Sequence, residues 1–230
     1  MNPRISLIVL SFFLLVLKSS FADAAWSEPV EIISGGWGAG KGQFGLRSEG
    51  GFSVVPSIES VTAEKQVIIS DPVNRKQIVF NNKGVLLDEL KWGDAKGQER
   101  RSLVPLSQRN REALQVQSMK VGAATYRVTI VFPDKNTVVD SEEDFTIATR
   151  DAAGFVYGIS VETVIRFDKT GKKTDALPLP SSHEKLITVP GRPPRGVYIM
   201  YGDPVIAPNG DVYLWQKSDE KYSILRWTWQ

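Results

Sequence analysis

Three carboxylates stand where they could hold a metal ion: Glu59, Asp144 and Asp203. Each lies in or next to a short apolar run that is typical of a β-strand and is predicted to be the innermost strand of a small sheet. Carboxylate oxygens are the ligands that Ca²⁺ prefers, so convergence of the three side chains would make a calcium site. Polar residues at strand ends are ordinarily solvated, and the sequence favours that simpler interpretation. No cofactor is expected unless the carboxylates converge.

The chain contains one histidine, His183, and no cysteine. A Ser–His–Asp relay needs a histidine between the nucleophile and the acid. His183 instead lies in the polar, proline-rich stretch 174–194, which is predicted to be an exposed loop between sheets. One histidine and no cysteine exclude a zinc site of ordinary composition. Without cysteine there is also no disulfide, so burial and strand pairing must supply the stability.

Glycines and a lysine fill the run 35–42, which follows a predicted strand at 29–34 and has nearly the spacing of a phosphate-binding loop. Two features argue against that interpretation. Position 42 is a glycine, so the hydroxyl that would hold Mg²⁺ is missing, and no amphipathic helix follows to point its N-terminus at a phosphate. The sequence therefore disfavours a nucleotide site.

Two tryptophans and two arginines are the other candidate binding residues. Trp37 and Trp92 lie in predicted loops, whereas the C-terminal tryptophans have strand spacing that is typical of packing. Arg192 and Arg195 flank two prolines, and this stiff, basic loop could present two guanidinium groups to an acidic partner or serve as a rigid spacer. With Glu59, Asp144 and Asp203 they complete the predicted binding set. No catalytic residue is assigned.

The N-terminus predicts export. Arg4 precedes an apolar run at 5–17, and Ala22 and Ala24 are the small residues that an export protease reads. The run is shorter than the roughly 20 residues of a membrane-spanning helix. We therefore predict a signal peptide over 1–24, cut after Ala24. The mature chain would have no transmembrane segment and would be periplasmic or extracellular.

The charge balance gives no reason to expect nucleic acid as a partner. The chain has 28 Lys and Arg against 26 Asp and Glu, a net charge of +2. The expected partner is a protein or a cell-surface component, and the sequence leaves the oligomeric state open.

The rest of the sequence is organised around the stretch 55–90. It contains four short bursts of Val, Ile, Leu and Phe separated by Asn, Asp, Pro and Gly, which is typical of antiparallel strands. Four strands in about 35 residues make one blade of a β-propeller. The pattern recurs over 144–179 and 203–229, and in weaker form over 103–140.

The predicted fold is therefore an all-β propeller in one domain over 25–230. A blade takes roughly 40–45 residues, which leaves room for four or five blades, with six as a further option. An unclosed ring would expose a strand edge that invites aggregation. The strand at 29–34 is placed to join the last unit and close the ring, which would put Ile32 and Ile33 beside 223–227.

The run GKGQFG (40–45), followed by SDPVNRKQIVFNNKG (70–84), resembles the NHL-repeat propellers. Blades of that family have a glycine-rich start, an Asp-x-x-Asn turn, an apolar-x-apolar-Phe strand and a closing Gly. Asp71, Asn74, Ile78, Phe80 and Gly84 stand at the matching positions. The resemblance is clear over 40–90 and partial over 144–179 and 203–229, where the Asp-x-x-Asn turn is missing.

The sequence thus favours an exported, non-catalytic propeller that binds a protein or ligand, or serves as an assembly module, in the cell envelope or outside the cell. A purely structural subunit of an envelope complex is a related option. The alternative from another class is a calcium-dependent hydrolase that resembles the propeller lactonases, which take Glu, Asn and Asp from inner strands. Glu59, Asp144 and Asp203 would then bind the metal.

Overall fold

The computed structural model describes residues 25–49, 52–91, 115–123, 125–131, 136–141, 145, 147–160, 162–188 and 193–230. In these residues the chain is all β, as the sequence predicts, with nineteen strands and no helix. None of the described residues therefore lies in a helix long and apolar enough to cross a membrane. The strands are β1 (Val30–Gly36), β2 (Arg47–Glu49), β3 (Phe52–Val54), β4 (Ser57–Val61), β5 (Val67–Asp71), β6 (Lys76–Phe80), β7 (Leu86–Lys91), β8 (Gln115–Lys120), β9 (Tyr126–Val131), β10 (Asn136–Ser141), β11 (Ile147–Arg150), β12 (Val156–Ile159), β13 (Thr163–Phe167), β14 (Lys173–Pro178), β15 (His183–Ile187), β16 (Arg195–Tyr201), β17 (Val205–Ile206), β18 (Val212–Lys217) and β19 (Lys221–Trp227).

The strands pair in antiparallel sheets built largely from neighbours in sequence. β4–β7 and β11–β14 are four-stranded meanders, and β8–β10 form a three-stranded one. The last sheet joins the two ends of the chain, because β1 pairs with β19, β19 with β18, and β18 with β17 and β16. β16 also forms a hairpin with β15, and β2 pairs with β3. The predicted units 55–90, 144–179 and 203–229 coincide with β4–β7, β11–β14 and β17–β19.

Five of the turns that connect these strands share one hydrogen-bond pattern. In each, the first N–H donates to the fifth carbonyl, the fourth N–H donates to the first carbonyl, and the fourth residue has a positive φ between 62° and 88°. A positive φ favours glycine, which occupies the fourth position in all but one. The exception is Lys65. The five turns are residues 62–66, 81–85, 151–155, 168–172 and 207–211.

These turns gather at one end of the molecule, which we call the turn end. Ala152 N–H donates to the Pro208 carbonyl at 2.8 Å, and Lys65 Nζ lies 3.8 Å from the Asp211 carboxylate. Strands alternate in direction, so the other connections of the same sheets lie at the opposite end. We call that end, which carries residues 37–45, 72–75, 160, 162, 179–182 and 218–220, the loop end. Residues 202–204 join β16 to β17, which both run antiparallel to β18.

The sheet that contains β17–β19 lies between two others. Alternate side chains leave opposite faces of a strand, and the core is divided accordingly. Tyr213 and Ile224 belong to a buried cluster with side chains of β4–β7. Val212 and Leu214, which flank Tyr213 in the sequence, belong to a second cluster with side chains of β11–β14. One sheet thus contributes to two cores.

β8–β10 cover the remaining face of β11–β14. Val128, Ile130 and Val139 are buried in a third cluster with Ile165 and Phe167 of β13. The sheets therefore stack face to face in the order β4–β7, then β1 with β17–β19, then β11–β14, then β8–β10.

The predicted pairing of the N-terminal strand with the last unit is confirmed. β1 lies antiparallel to β19, with Ile33 opposite Ile224 and Ser34 opposite Ser223. The pairing continues beyond both strands, because Trp26 forms an isolated bridge with Trp229. The two ends of residues 25–230 are therefore held against each other along ten residues or so of extended chain.

The predicted loop at 174–194 is wrong in part. β14 extends to Pro178, and β15 begins at His183 and pairs with β16. Residues 183–186 of β15 are exposed, and three of the four are polar. They therefore give no hydrophobic pattern, and the strand depends on a partner that follows it in the chain. The predicted signal peptide at 1–24 lies outside the described residues.

Candidate functional site

A groove that opens at the loop end and extends along β14 toward the turn end separates β11–β14 from the sheet that contains β17–β19. It consists of two adjoining cavities of about 320 Å³ and 570 Å³ that share Leu179, Pro180 and Tyr201 in their walls. The first cavity lies between Ser160 and Glu162 on one side and the 202–204 connection on the other. The second runs along β14 to the segment that precedes β1. Volumes of this size are those of ligand sites.

Prolines and a glycine shape the groove. Pro178 and Pro180 end β14, because a proline has no N–H for a ladder hydrogen bond. Leu179 N–H still donates to the Glu162 carbonyl at 2.7 Å, which fixes the point where the chain leaves the sheet. A Cβ on Gly202 would lie 1.9 Å from the Trp215 ring. Only glycine lets the chain pass that ring and continue in the same direction from β16 into β17.

The groove is acidic. Glu162 and Asp203 line the first cavity, and Glu28 and Asp175 line the second. Of the described residues that line either cavity, none is Lys or Arg. Asp175 Oδ1 accepts the Ala176 N–H at 2.8 Å. The three other carboxylates form no ion pair with the described part of the chain.

Backbone groups of the glycine-rich stretch 37–45 are hydrogen-bonded to other residues of the protein. Buried Asp71 accepts hydrogen bonds from Gly45 N–H at 2.8 Å and from the backbone and side-chain nitrogens of Asn74. The Asn74 side chain also donates to the Gly38 carbonyl at 2.7 Å. Gly42 N–H donates to Glu89 at 2.9 Å. Amides that a phosphate would need are therefore already bonded, in keeping with the sequence argument against a nucleotide site.

Lys76 completes this network from β6. It is 1% exposed, and its Nζ donates to the Gly40 carbonyl at 3.1 Å and to Glu89 at 3.0 Å. Burial alone would raise the pKa of the Glu89 carboxyl, but the hydrogen bonds from Gly42 and Lys76 outweigh it and hold that pKa below its ordinary value. The Asp-x-x-Asn turn and the strand that follows it thus anchor the glycine-rich stretch to the first meander.

A cation also lies between aromatic rings where the ends of the chain meet β13. The Arg166 Cζ is 3.6 Å from the centre of the Phe155 ring and 4.2 Å from that of Trp229. Arg166 Nε donates to the Tyr157 hydroxyl, which donates to Asp151 at 2.8 Å. Burial raises the pKa of the Tyr157 phenol, so it stays a hydrogen-bond donor. We assign this buried cluster to packing.

The two predicted carboxylates that are described, Glu59 and Asp203, lie in different places. Glu59 lies half-buried in β4 and accepts a hydrogen bond from Gln77 of β6. Asp203 is exposed in the first cavity of the groove, between two other sheets. Asp144 lies outside the described residues. Among the residues that are described, no three His, Asp or Glu side chains form a group that could hold a metal.

The predicted tryptophan and arginine sites lie at the loop end where they are described. Trp37 is half-buried, donates its indole N–H to the Ser218 carbonyl at 3.0 Å and packs edge-on against Tyr222. Arg195 is exposed and pairs with Glu220. Trp92 and Arg192 lie outside the described residues, so their role as contacts stays a prediction.

Sequence reasoning missed most of the groove. Of its four carboxylates, only Asp203 was among the candidate residues; Glu28, Glu162 and Asp175 were not. Glu162 and Asp175 belong to the β11–β14 meander, and Glu28 joins them only when the two ends of the chain pair. The prolines that flank Leu179 were the available signal, because they mark where the chain leaves the sheet.

No protein-family model matches this chain, and no curated protein matches it at a significant level of sequence similarity. The resemblance to NHL-repeat propellers therefore rests on the residues quoted above.

Proposed function

We propose that this chain is an exported, non-catalytic β-propeller of four blades that binds a partner through its loop end. It would act as a binding or assembly module in the cell envelope or outside the cell. The blades would be β4–β7, β8–β10, β11–β14 and the sheet of β17–β19 with β1. The binding site would be the groove between the last two.

The observation that carries the proposal is the stacking of the sheets. Each of three neighbouring sheet pairs shares a buried cluster, and the first strands of adjoining sheets lie side by side, β17 beside β4 and β11 beside β8. Small sheets stacked face to face with their first strands innermost are the blades of a propeller. The remaining junction, between β4–β7 and β8–β10, would close the ring and cover buried Ile68 and Val79.

The contacts of the first meander support the NHL-like assignment. Asp71 and Asn74 stand at the family's turn positions, and they bind the glycine-rich stretch that precedes the blade. In this blade the motif residues serve to hold the loop end in shape. A rigid loop end beside a pre-formed groove favours binding, because less conformational entropy is lost when a partner docks.

Export is tested by the mature N-terminus. The protein recovered from the periplasm or the culture medium should begin at Ala25, which N-terminal sequencing and intact mass both report. Recovery of a chain that keeps residues 1–24, or recovery from the cytoplasm alone, would contradict the export proposal.

Binding through the groove is tested by photo-crosslinking in the native host. A photo-reactive amino acid at exposed Ser181, in the wall of the first cavity, should give discrete higher-mass adducts. The matched control is the same residue at exposed Glu64, in a turn at the opposite end. Adducts at Glu64 and none at Ser181 would place the contact at the turn end and overturn the proposal. Adducts at neither position would count against a stable partner.

A further inference from the structure

The charge of the groove is unbalanced, because the described residues that line it include four carboxylates and neither Lys nor Arg. Elsewhere in the described residues some carboxylates are paired with a basic side chain, as in Lys76–Glu89, Lys221–Glu31 and Arg195–Glu220. In the groove, Glu162 and Asp203 at one end and Glu28 at the other have no such partner. A concave surface lined by one sign of charge concentrates ligands of the opposite sign.

The walls of the groove are apolar between these carboxylates. Leu179 and Tyr201 are shared by both cavities, and Leu225 and Trp26 line the second. A small polyamine would meet the carboxylates but would leave these side chains in contact with water. Long side chains of Lys and Arg suit both features, because their stems cover apolar and aromatic surface while their charged ends reach the rim.

The open edge of β14 is closed to strand addition. Asp175 Oδ1 occupies the Ala176 N–H, and Pro178 has no N–H to offer. Edge strands that are blocked in these ways resist pairing with another strand. An occupant of the groove must therefore be recognised by its side chains rather than by main-chain pairing.

We propose that the groove binds an extended segment of another polypeptide that carries Lys or Arg side chains interspersed with apolar residues. The charged ends would meet Glu162 and Asp203 near the 202–204 connection and Glu28 near β1, and the apolar side chains would lie on Leu179 and Tyr201. This inference rests on the proposed function, because it names the chemistry of the partner for the same groove.

The test uses three pools of fluorescein-labelled ten-residue peptides with mixed apolar residues at alternate positions. The other positions carry Lys and Arg in one pool, Asp and Glu in the second, and Ser and Gln in the third. Fluorescence anisotropy with residues 25–230 should show binding of the basic pool only. That binding should weaken as salt is raised from about 50 to 500 mM, because exposed charges are screened.

Two variants locate the binding. E162Q/D203N should weaken the basic pool about fivefold, the loss expected for two exposed ion pairs. E64Q/D219N removes the same charge from exposed residues outside the groove and should leave the affinity unchanged. Equal effects of the two variants would overturn the inference, because they would show attraction to the overall charge only.

The remaining outcomes separate this inference from the proposed function. If the Ser and Gln pool binds as well as the basic pool and Y201A abolishes both, the groove binds peptides but the charge preference is wrong. If spermine displaces the basic pool completely at equal charge concentration, the site is for a small polyamine, and the polypeptide assignment fails. If no pool binds while Ser181 still crosslinks to a partner, the binding module stands and this inference falls.

Discussion

At the residue scale, the polar groups buried beneath the glycine-rich stretch 37–45 hold that stretch in its conformation by hydrogen bonds. Asp71 is 0% exposed and accepts hydrogen bonds from three nitrogens of Gly45 and Asn74. A donor left buried without a partner costs about 1–3 kcal/mol. The stretch 37–45 has little regular structure of its own, so these bonds determine its conformation.

Asp71→Ala should therefore lower the free energy of unfolding by at least about 3 kcal/mol, measured by urea denaturation. Asp168→Asn is the matched control. Asp168 is the first residue of an exposed turn, and the equivalent turn has Asn81 in its place, whose Oδ1 accepts from the same two backbone N–H positions. That change should cost less than about 0.5 kcal/mol. Similar losses for both variants would mean that Asp71 does not anchor the loop.

The hydrogen bonds to Glu89 predict that the folded protein loses stability as the pH falls. Its pKa in the folded protein lies below the ordinary value, because Gly42 and Lys76 donate to the charged form. The unfolded chain then binds the proton more readily, so the stabilisation is complete above the unfolded pKa of about 4.3 and is lost as the pH falls through the folded pKa. Glu89→Gln should be less stable than the wild type at pH 6, and the two should converge as the pH falls below the folded pKa of Glu89. A difference that does not change with pH would contradict this account.

At the element scale, two of the five equivalent turns allow the energetic cost of a positive φ to be measured separately from the cost of a steric clash. Gly84 and Gly154 have the same place in their turns, with φ of 75° and 88°. A Cβ on Gly154 would meet only the Lys169 side chain at 3.4 Å, whereas a Cβ on Gly84 would lie 1.8 Å from the Ile32 carbonyl oxygen in β1.

Gly154→Ala should therefore cost only the conformational term of about 1–2 kcal/mol. Gly84→Ala should cost clearly more, because β1 must also move away from the turn. Urea denaturation of the two variants measures the difference directly. Equal losses would show that β1 does not approach the turn so closely.

The same elements show what the sequence could predict. The units of β4–β7 and β11–β14 were recognisable because their strands are short, apolar and separated by turns whose residues are dictated by local hydrogen bonds. The pairing of β1 with β19 could be inferred from the need to cover an edge. β15 and the acidic groove could not be inferred, because their residues are exposed and their proximity depends on which sheets stack.

At the scale of the whole molecule, the two ends of the chain contribute to the same structures. β1 covers the edge of β19, Trp26 packs against Trp229 at 5.1 Å between ring centres, and Glu28 lines the groove beside β14. The groove is therefore complete only when the N-terminal segment is docked. Loss of that segment would remove one of its carboxylates and open an apolar wall.

A disulfide between β1 and β19 tests this closure. Ser34 and Ser223 are cross-strand partners, and the natural chain has no cysteine to interfere. Ser34→Cys/Ser223→Cys should oxidise in air to a single monomeric species, and the stabilisation is measured as the difference in urea denaturation between its oxidised and reduced forms.

The matched control is Gln216→Cys/Ser223→Cys, which uses the same central position and its other cross-strand neighbour in β18. That bond closes a loop of only a few residues, whereas the bond to β1 closes a loop of nearly the whole chain. Since the stabilisation grows with the logarithm of loop length, the first disulfide should exceed the second by about 2–3 kcal/mol. If the first pair fails to oxidise while the control does, β1 is not docked on β19, and the proposed closed ring and the complete groove both fail with it.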